Sequence, residues 1–376
     1  NIGTGMGAQA TAFVSGMTSA QRTWETLKSH DVGLDVTVLG NRLSATFDWF
    51  QKTNDGMFIP VTYPSILGAS APKTNNGRFR SKGWELAVNW RDQIGQVTYN
   101  IGANIADAKS EVLVLENSEN VPNEGNNKGR LIGKPLNAIY VYRTDGIFQT
   151  QEEVNAYYEK YYWNADHTGP KSGNIIPAPR DKATNTLRPG ARKLVDNNGD
   201  GAITKDDLWY AGDKAPHFTF GIKAGLEWKG IDFSAFFQGV GKQNVLRTGN
   251  IYAPWVTNYV MQNSTYMGKM WSEENPNAEY TIASRDAAFN RWNYQNRDVS
   301  VQDSKYIRLK SLVLGYTLPK AWTQKANINK VRVYFSGEDL WEWTSITDGY
   351  DPEHGEASNN TFPFSRLLSF GLDITF

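Results

Sequence analysis

The chain of 376 residues contains no cysteine, and its 39 basic side chains are balanced by 39 acidic ones. Without cysteine there is no disulfide framework, no thiol nucleophile and no thiolate metal site. A net charge of zero gives no electrostatic reason to expect nucleic acid as a partner. The sequence also lacks any apolar run near the ~20 residues that a transmembrane helix needs.

Aromatic residues and glycine are abundant instead, with 13 Trp, 18 Tyr, 17 Phe and 34 Gly. Soluble β proteins can have this composition. Outer-membrane barrels can have it too, because only alternate residues face lipid and aromatic girdles lie at both interfaces. The chain begins without an initiator Met or a signal-peptide pattern, so we expect a fragment of a longer protein.

Alternation of apolar and polar residues recurs along the chain and predicts about nine strands, each near the ~9–11 residues of a membrane-spanning strand. The predicted strands are 32–39, 43–49, 84–90, 97–104, 218–228, 231–238, 306–318, 331–335 and 368–376. A change of phase around Lys310 predicts a β-bulge. The polar face carries charges that suit a wet lumen better than a packed core. These charged residues are Asp35, Asp48, Glu85, Glu227 and Asp373.

The connections between these strands alternate in length. Short ones lie at 40–41, 92–96 and 229–230, with a moderate one at 319–330. Long polar ones lie at 59–78, 116–216, 242–305 and 341–364. Outer-membrane barrels have short periplasmic turns and long extracellular loops, whereas a soluble sandwich has both kinds at each end. We therefore predict that 1–376 is the C-terminal part, about nine to ten antiparallel strands, of an all-β outer-membrane barrel. Its long loops would be extracellular and its C-terminus periplasmic.

One segment of the long loop 116–216 has the spacing of an EF-hand type calcium loop, at residues 196–207. Asp196, Asn198 and Asp200 supply side-chain oxygens at positions one, three and five, and Gly201 supplies the sharp turn at six. The Ala202 carbonyl, Thr204 and Asp207 complete the predicted Ca²⁺ ligands. Asp207 is shorter than the usual closing Glu, and a solvated Asn-Gly turn is the alternative interpretation.

Aromatic side chains crowd the long loops and allow two interpretations: stacking on sugar rings or docking of a partner, or local cores where the loops pack on one another. They are Tyr157, Tyr158, Tyr161, Tyr162, Trp163, Tyr252, Trp255, Tyr259, Tyr266, Trp271, Tyr280, Trp292 and Tyr294. Signals of catalysis are poor, because the four histidines are far apart and no nucleophile elbow or phosphate loop is present. We do not expect an enzyme.

Seven stretches, in order, resemble the SusC/RagA-type TonB-linked outer-membrane proteins, from about residue 20 to the end. They lie at 31–52, 196–201 (DNNGDG), 230–239, 306–319, 331–340, 349–353 (GYDPE) and 370–376 (FGLDITF). The resemblance implies import of glycans, oligosaccharides or peptides, powered through TonB, with a SusD-like surface lipoprotein as lid. The family's plug domain matches nothing in this chain.

The end of the sequence resembles the terminal signal read by the barrel-assembly machinery. Its predicted elements are Ser369, Gly371, Ile374 and the aromatic Phe376. Outer-membrane lipid would then be a partner of the apolar face. A secreted or surface all-β module that binds glycans and one calcium ion is the alternative function.

Overall fold

The computed structural model describes residues 22–60, 73–115, 131–136, 138–179, 186–248, 254, 266–347, 349–353 and 365–376. Within these ranges the strands are β1 (Thr26–Val38), β2 (Leu43–Pro60), β3 (Lys73–Ile94), β4 (Val97–Leu115), β5 (Ala138–Val141), β6 (Thr144–Ile147), β7 (Arg192–Leu194), β8 (Trp209–Asp213), β9 (His217–Trp228), β10 (Ile231–Lys242), β11 (Asn244–Leu246), β12 (Val301–Asp303), β13 (Tyr306–Thr317), β14 (Lys330–Thr344) and β15 (Leu367–Thr375).

Within the same ranges the helices are short and lie in the connections between strands. They are α1 (Gln151–Tyr161), α2 (Ala287–Tyr294), α3 (Lys320–Thr323) and three 3₁₀ turns, Lys205–Asp207, Asp298–Ser300 and Gln324–Ala326. None of the helices in the described ranges is long and apolar enough to cross a membrane.

Nine strands form one antiparallel sheet, and their spatial order is their order in the sequence: β1-β2-β3-β4-β9-β10-β13-β14-β15. The predicted all-β fold with about nine antiparallel strands is therefore confirmed. The predicted phase change is also present, since the register between β13 and β14 shifts at Lys310, between Leu309 and Ser311. The pattern-based boundaries were too narrow, because β2, β3 and β4 have 18, 22 and 19 residues.

The register places apolar side chains on one face of the whole sheet, which we call the apolar face. Pairs such as Leu34 with Phe47, and Leu314 with Phe335, lie directly opposite each other there. Large side chains on the apolar face are exposed to solvent; the exposed fraction is 61% for Leu34 and 86% for Phe370. The opposite, polar face carries the five predicted charged residues, and the register brings Asp48 opposite Glu85.

Short connections lie at one end of the sheet, the turn end, and long ones at the other, the loop end. The turn between β9 and β10 consists of Lys229 and Gly230, both with positive φ (47° and 87°), as a two-residue hairpin requires. Because β15 pairs antiparallel with β14 and Lys330 opposes Thr375, the last residue lies at the turn end. The predicted alternation of connection lengths is thus present in the sheet.

The two longest connections fold together at the loop end around an apolar cluster that we call the loop core. Helix α1 contributes Val154 and Tyr158, and helix α2, from the other connection, contributes Phe289 and Trp292. The small sheets β5–β8 and β6–β7 contribute to this cluster, whereas β11–β12 packs against the other side of β5, where Leu246 meets Ile139 and Val141. The loops are therefore packed structures with their own buried side chains.

Candidate functional site

The polar face is held by charged contacts that cross several strands. Near the turn end, the Arg332 guanidinium contacts the Asp232 carboxylate (Nη2–Oδ2, 2.6 Å) and the Asp373 carboxylate (Nη1–Oδ2, 3.2 Å). On β1 and β2, the Thr46 hydroxyl donates to the Asp35 carboxylate over 2.7 Å. Part of the charge predicted on this face is thus neutralised by neighbouring strands, while Asp48 and Glu85 remain opposed like charges.

A buried guanidinium at the loop end joins the sheet to the 349–353 segment. Arg308 on β13 is completely buried, and its Nη2 contacts both Glu342 on β14 and Asp351, the latter at 2.8 Å. Its Nη1 contacts Glu353 at 2.8 Å. The Lys310 ammonium lies 2.9 Å from the same Glu353 carboxylate. One arginine therefore fixes the 349–353 segment against the polar face.

The sequence analysis did not predict this cluster, although Asp351 and Glu353 belong to the stretch 349–353 of the family resemblance. The available signal was the pair of cations at Arg308 and Lys310, two residues apart on a strand with a predicted bulge. The acidic segment lies about 40 residues further along the chain, so spacing alone gave no reason to connect the two.

The predicted calcium loop is a compact turn closed by its own backbone. Asp196 accepts from Gly199 N–H and Gly201 N–H at 2.7 and 2.9 Å, and Asp200 accepts from Ala202 N–H at 2.8 Å. Asn198 accepts from the Asp200 N–H at 2.9 Å. These bonds occupy one lone pair of each accepting oxygen and bring the predicted side-chain oxygens of positions one, three and five into one turn.

Two predicted ligands, Thr204 and Asp207, accept hydrogen bonds from backbone N–H groups and cap the 3₁₀ turn Lys205–Asp207. The Thr204 hydroxyl accepts from the Asp206 N–H, and the Asp207 carboxylate accepts from the N–H groups of Asn197, Asn198 and Thr204. Asp207 is completely buried, and burial raises the pKa of its carboxyl group. Within the described ranges no three His, Cys, Asp or Glu side chains converge as a metal site, so calcium binding stays a prediction.

Six of the ten loop aromatics that the structure describes are buried in the folded connections. Tyr157, Tyr158, Tyr162 and Trp292 are buried in the loop core, and Tyr157 donates its hydroxyl to the Leu194 carbonyl at 2.9 Å. Burial raises the pKa of Tyr158 to about 12. Trp271 and Tyr294 are buried as well, whereas Tyr161, Trp163, Tyr266 and Tyr280 retain solvent exposure. Tyr252, Trp255 and Tyr259 lie outside the described residues. Packing therefore accounts for the buried aromatics better than ligand binding does.

The predicted assembly signal lies on the last strand with its elements on alternate faces. Ser369 and Gly371 are on the polar face, opposite Ser336 and Tyr334. A Cβ at Gly371 would overlap the Tyr334 ring, so this position has no room for a side chain. Ile374 is on the apolar face and the terminal Phe376 is 82% exposed. Recognition of these residues by an assembly machinery stays a prediction.

Comparison with known proteins gives relatives of one kind. No family model matches the chain. The TonB-dependent receptor P3 of Formosa agariphila is 27% identical over 370 residues, which cover 94% of this chain and 34% of that protein. The TonB-dependent receptor P26 of the same organism is 24% identical over 400 residues, covering 98% of this chain and 36% of that protein. The chain thus spans about a third of the length of the relatives it matches.

Solved structures give the same result for the fold. The RagAB peptide transporter matches with a TM-score of 0.67 at 22% identity, over 94% of this chain and 36% of that chain. The RagAB peptide importer in its open-open state matches with a TM-score of 0.68. The resemblance to TonB-linked outer-membrane proteins is confirmed by these independent comparisons. The chain is therefore similar in sequence to part of the TonB-dependent receptors and has the fold of the matching part of the RagAB transporter.

Proposed function

We propose that this chain forms part of the wall and outer loops of an outer-membrane transporter that imports oligosaccharides or peptides. The observation that carries the proposal is the apolar face, which continues across nine neighbouring strands and leaves large apolar side chains exposed on most of them. A soluble sheet of this size would bury such a face, because exposed apolar patches of more than a few hundred Å² are rare on soluble monomers. In an outer-membrane barrel the apolar face contacts lipid, and the polar face borders an aqueous lumen.

In this arrangement the loop end faces the outside of the cell and the turn end, with the C-terminus, faces the periplasm. Long loops on the outside and short turns on the inside are the rule for outer-membrane barrels. A SusD-like lipoprotein would cover the loop end, and TonB would act through a segment outside the described sheet. The relatives named as TonB-dependent receptors support coupling to TonB.

The substrate is an oligomer, either a glycan or a peptide. The match to a peptide transporter, at 22% identity, shows the fold alone and does not decide between the two. The buried state of many loop aromatics removes part of the support that sugar stacking had in the sequence. The wall itself contributes no catalysis in this proposal.

The test begins with fractionation of cells that produce the full-length protein. We expect it to stay in the outer membrane until detergent is added, and a monomer soluble in buffer would contradict the proposal. Uptake of labelled oligosaccharide and peptide pools is then compared in cells with and without the gene, and with TonB intact or inactivated. Uptake that needs both the gene and TonB supports import, and the active pool names the substrate class.

A further inference from the structure

A cavity of about 380 Å³ lies at the loop end, at the place where β4 and β9 separate. Four cationic side chains line it: Arg80, Lys82, Lys109 and Lys242. The backbone of the next connection forms the opposite wall, where Gly133 donates its N–H to the Val112 carbonyl at 2.8 Å. The cavity is therefore a built recess in the sheet rim, with walls from separate segments.

Two of these lysines face each other directly. Lys82 on β3 and Lys109 on β4 are register partners, in a stretch of unbroken pairing. Like charges directly opposite on one face destabilise a strand pair. In the described part of the chain, the side chains of Lys82, Lys109 and Lys242 form no ion pair or hydrogen bond. Three ammonium groups at the cavity thus have no carboxylate partner among the described residues.

The carboxylates at the cavity already have partners. Glu111 contacts the Arg80 guanidinium (Nη2–Oε2, 2.5 Å). Asp213 contacts the His217 ring at 3.4 Å, and the other ring nitrogen of His217 contacts Asp107 at 2.6 Å. The Nε atom of Arg80 is buried and has no hydrogen-bond partner within the described ranges. A donor and three ammonium groups therefore remain for an anion.

The position of this cluster relative to the apolar face indicates the anion. Alternation places Lys82 and Lys109 on the same face as Trp84 and Ile105. Lys82 is two residues beyond Trp84, which is roughly 7 Å at the usual rise per residue. The headgroup layer of a bilayer extends about 5–8 Å beyond the hydrocarbon core. In the proposed membrane placement these lysines lie at headgroup level.

We propose that this recess binds a phosphate monoester, with Lys82 and Lys109 as the principal contacts and Arg80 Nε and Lys242 beside them. A phosphate monoester carries about −1.5 to −2 charges near pH 7 and three acceptor oxygens, which match the ammonium groups available. Lysine binds phosphate as a point charge and needs no bidentate geometry. The phosphate group belongs either to a lipid headgroup or to a soluble molecule. Only binding of a lipid headgroup rests on the proposed function, because it requires that the sheet lies in a membrane.

The test uses the full-length protein in detergent and a double variant, Lys82→Gln with Lys109→Gln. Lys325→Gln with Lys330→Gln is the matched control, because it removes the same charge at the turn end. Phosphatidic acid is the lipid probe, with diacylglycerol as its uncharged counterpart, and bound lipid is counted by native mass spectrometry. Inorganic phosphate, titrated calorimetrically, is the soluble probe.

We expect the double variant to bind phosphatidic acid roughly 25-fold more weakly, since each lysine near anionic lipid contributes roughly fivefold. The control should bind like the wild type, and diacylglycerol should not distinguish the three proteins. If only inorganic phosphate shows the dependence on Lys82 and Lys109, the site stands with a soluble source. Equal binding of both probes by wild type and double variant overturns the site.

Failure of the proposed function would look different. A protein that does not fractionate with the outer membrane but binds inorganic phosphate through Lys82 and Lys109 contradicts membrane transport and leaves the phosphate site in place. A transporter that imports its substrate normally and binds neither probe contradicts the site alone. Heat-modifiable mobility of each variant confirms that the barrel has folded.

Discussion

A single guanidinium, that of Arg308, holds a segment of the last long connection against the sheet. Its removal would leave carboxylates of Glu342, Asp351 and Glu353 close together without their main counter-charge. Breaking a buried ion pair by removing one partner is far more costly than breaking an exposed pair. Arg308 is therefore the main contact that positions 349–353, with Lys310 as a second cation at Glu353.

Replacement Arg308→Met is expected to lower the free energy of unfolding by about 3 kcal/mol, the lower end for a buried pair, since Glu342 and Glu353 keep partial access to solvent. Arg78→Met is the control, because Arg78 contacts Asp55 in an exposed pair and should cost less than ~1 kcal/mol. The urea midpoint of the full-length protein in detergent measures both. Equal small losses for the two variants would show that the Arg308 cluster does not hold the segment.

Gly371 is the second residue whose role follows from its surroundings. Gly371→Ala would place a methyl group in the Tyr334 ring, and overpacking of this kind costs about 1–3 kcal/mol. We expect less assembled barrel in the outer membrane, measured as the heat-modifiable fraction. Ser336→Ala, on the same face but outside the predicted assembly signal, adds no bulk and is the control. Adding Tyr334→Ala to Gly371→Ala should restore the amount of assembled barrel, because the overlapping ring is removed. If the amount stays low, the glycine is needed for recognition and not for packing.

At the scale of elements, the two longest connections are expected to behave as one packed unit. Trp292 lies in the loop core and donates its ring N–H to the Arg192 carbonyl, at 3.1 Å, in the other connection. Trp292→Ala should therefore cost about 3–5 kcal/mol of local stability and expose both connections to protease together, with the barrel intact. Trp209→Ala is the control, because Trp209 is 42% exposed. Cleavage confined to one connection would contradict a shared core.

The turn at 196–207 gives a prediction about calcium. Burial raises the pKa of Asp207, so the stability linked to its protonated form is present at low pH and is lost as pH rises through the raised pKa. At neutral pH the buried carboxylate costs stability, and a bound Ca²⁺ would offset that cost. We expect calcium to slow proteolysis of this turn at pH 7 and to have little effect near pH 4, where carboxylates protonate.

Asp200→Ala should abolish the calcium effect, and Asp206→Ala should preserve it, because Asp206 is an exposed neighbour outside the predicted ligand set. A modest affinity of this turn for calcium is sufficient for the expected protection, since extracellular modules bind calcium with dissociation constants of roughly 10⁻⁴–10⁻³ M. Identical digestion of the wild type with calcium and with chelator at pH 7 would leave the segment as a self-bonded turn.

Elements differ in how far the sequence could predict them. The bulge at Lys310 was predictable because one extra residue in a strand shifts the alternation of apolar and polar side chains by one position, and this shift is visible in the sequence. The extension of β3 to Lys73 was not, because apolar alternation stops where the strand leaves the apolar band while its backbone pairing continues. The pairing of β5 with β8 joins strands of four and five residues that are about 70 residues apart, and no local pattern encodes it.

At the scale of the molecule, the two ends of the sheet should lie on opposite sides of the membrane. In a full-length background without other cysteines, Asp166→Cys at the loop end should react with an impermeant maleimide on intact cells. Asn41→Cys, in the β1–β2 turn, should react only after the membrane is opened. The absence of cysteine from this chain makes each label specific. Reaction of both positions on intact cells would contradict the orientation.

The whole-molecule architecture was the most predictable part of the structure, because nine alternating strands and connections of alternating length each report on the same arrangement. Sites were less predictable. The Arg308 cluster and the cationic recess form from residues on separate strands, such as Lys82 and Lys109, whose proximity exists only through register. The proposed calcium turn is local, and for that reason its motif was visible in the sequence.

The number of strands in the sheet sets a parity condition on how it can close. Neighbouring strands run in opposite directions, so with nine strands the two edge strands, β1 and β15, run the same way. Joined directly to each other, these edges would make a parallel seam. Closure with every pair antiparallel therefore takes an odd number of further strands, which gives the even total usual for bacterial outer-membrane barrels.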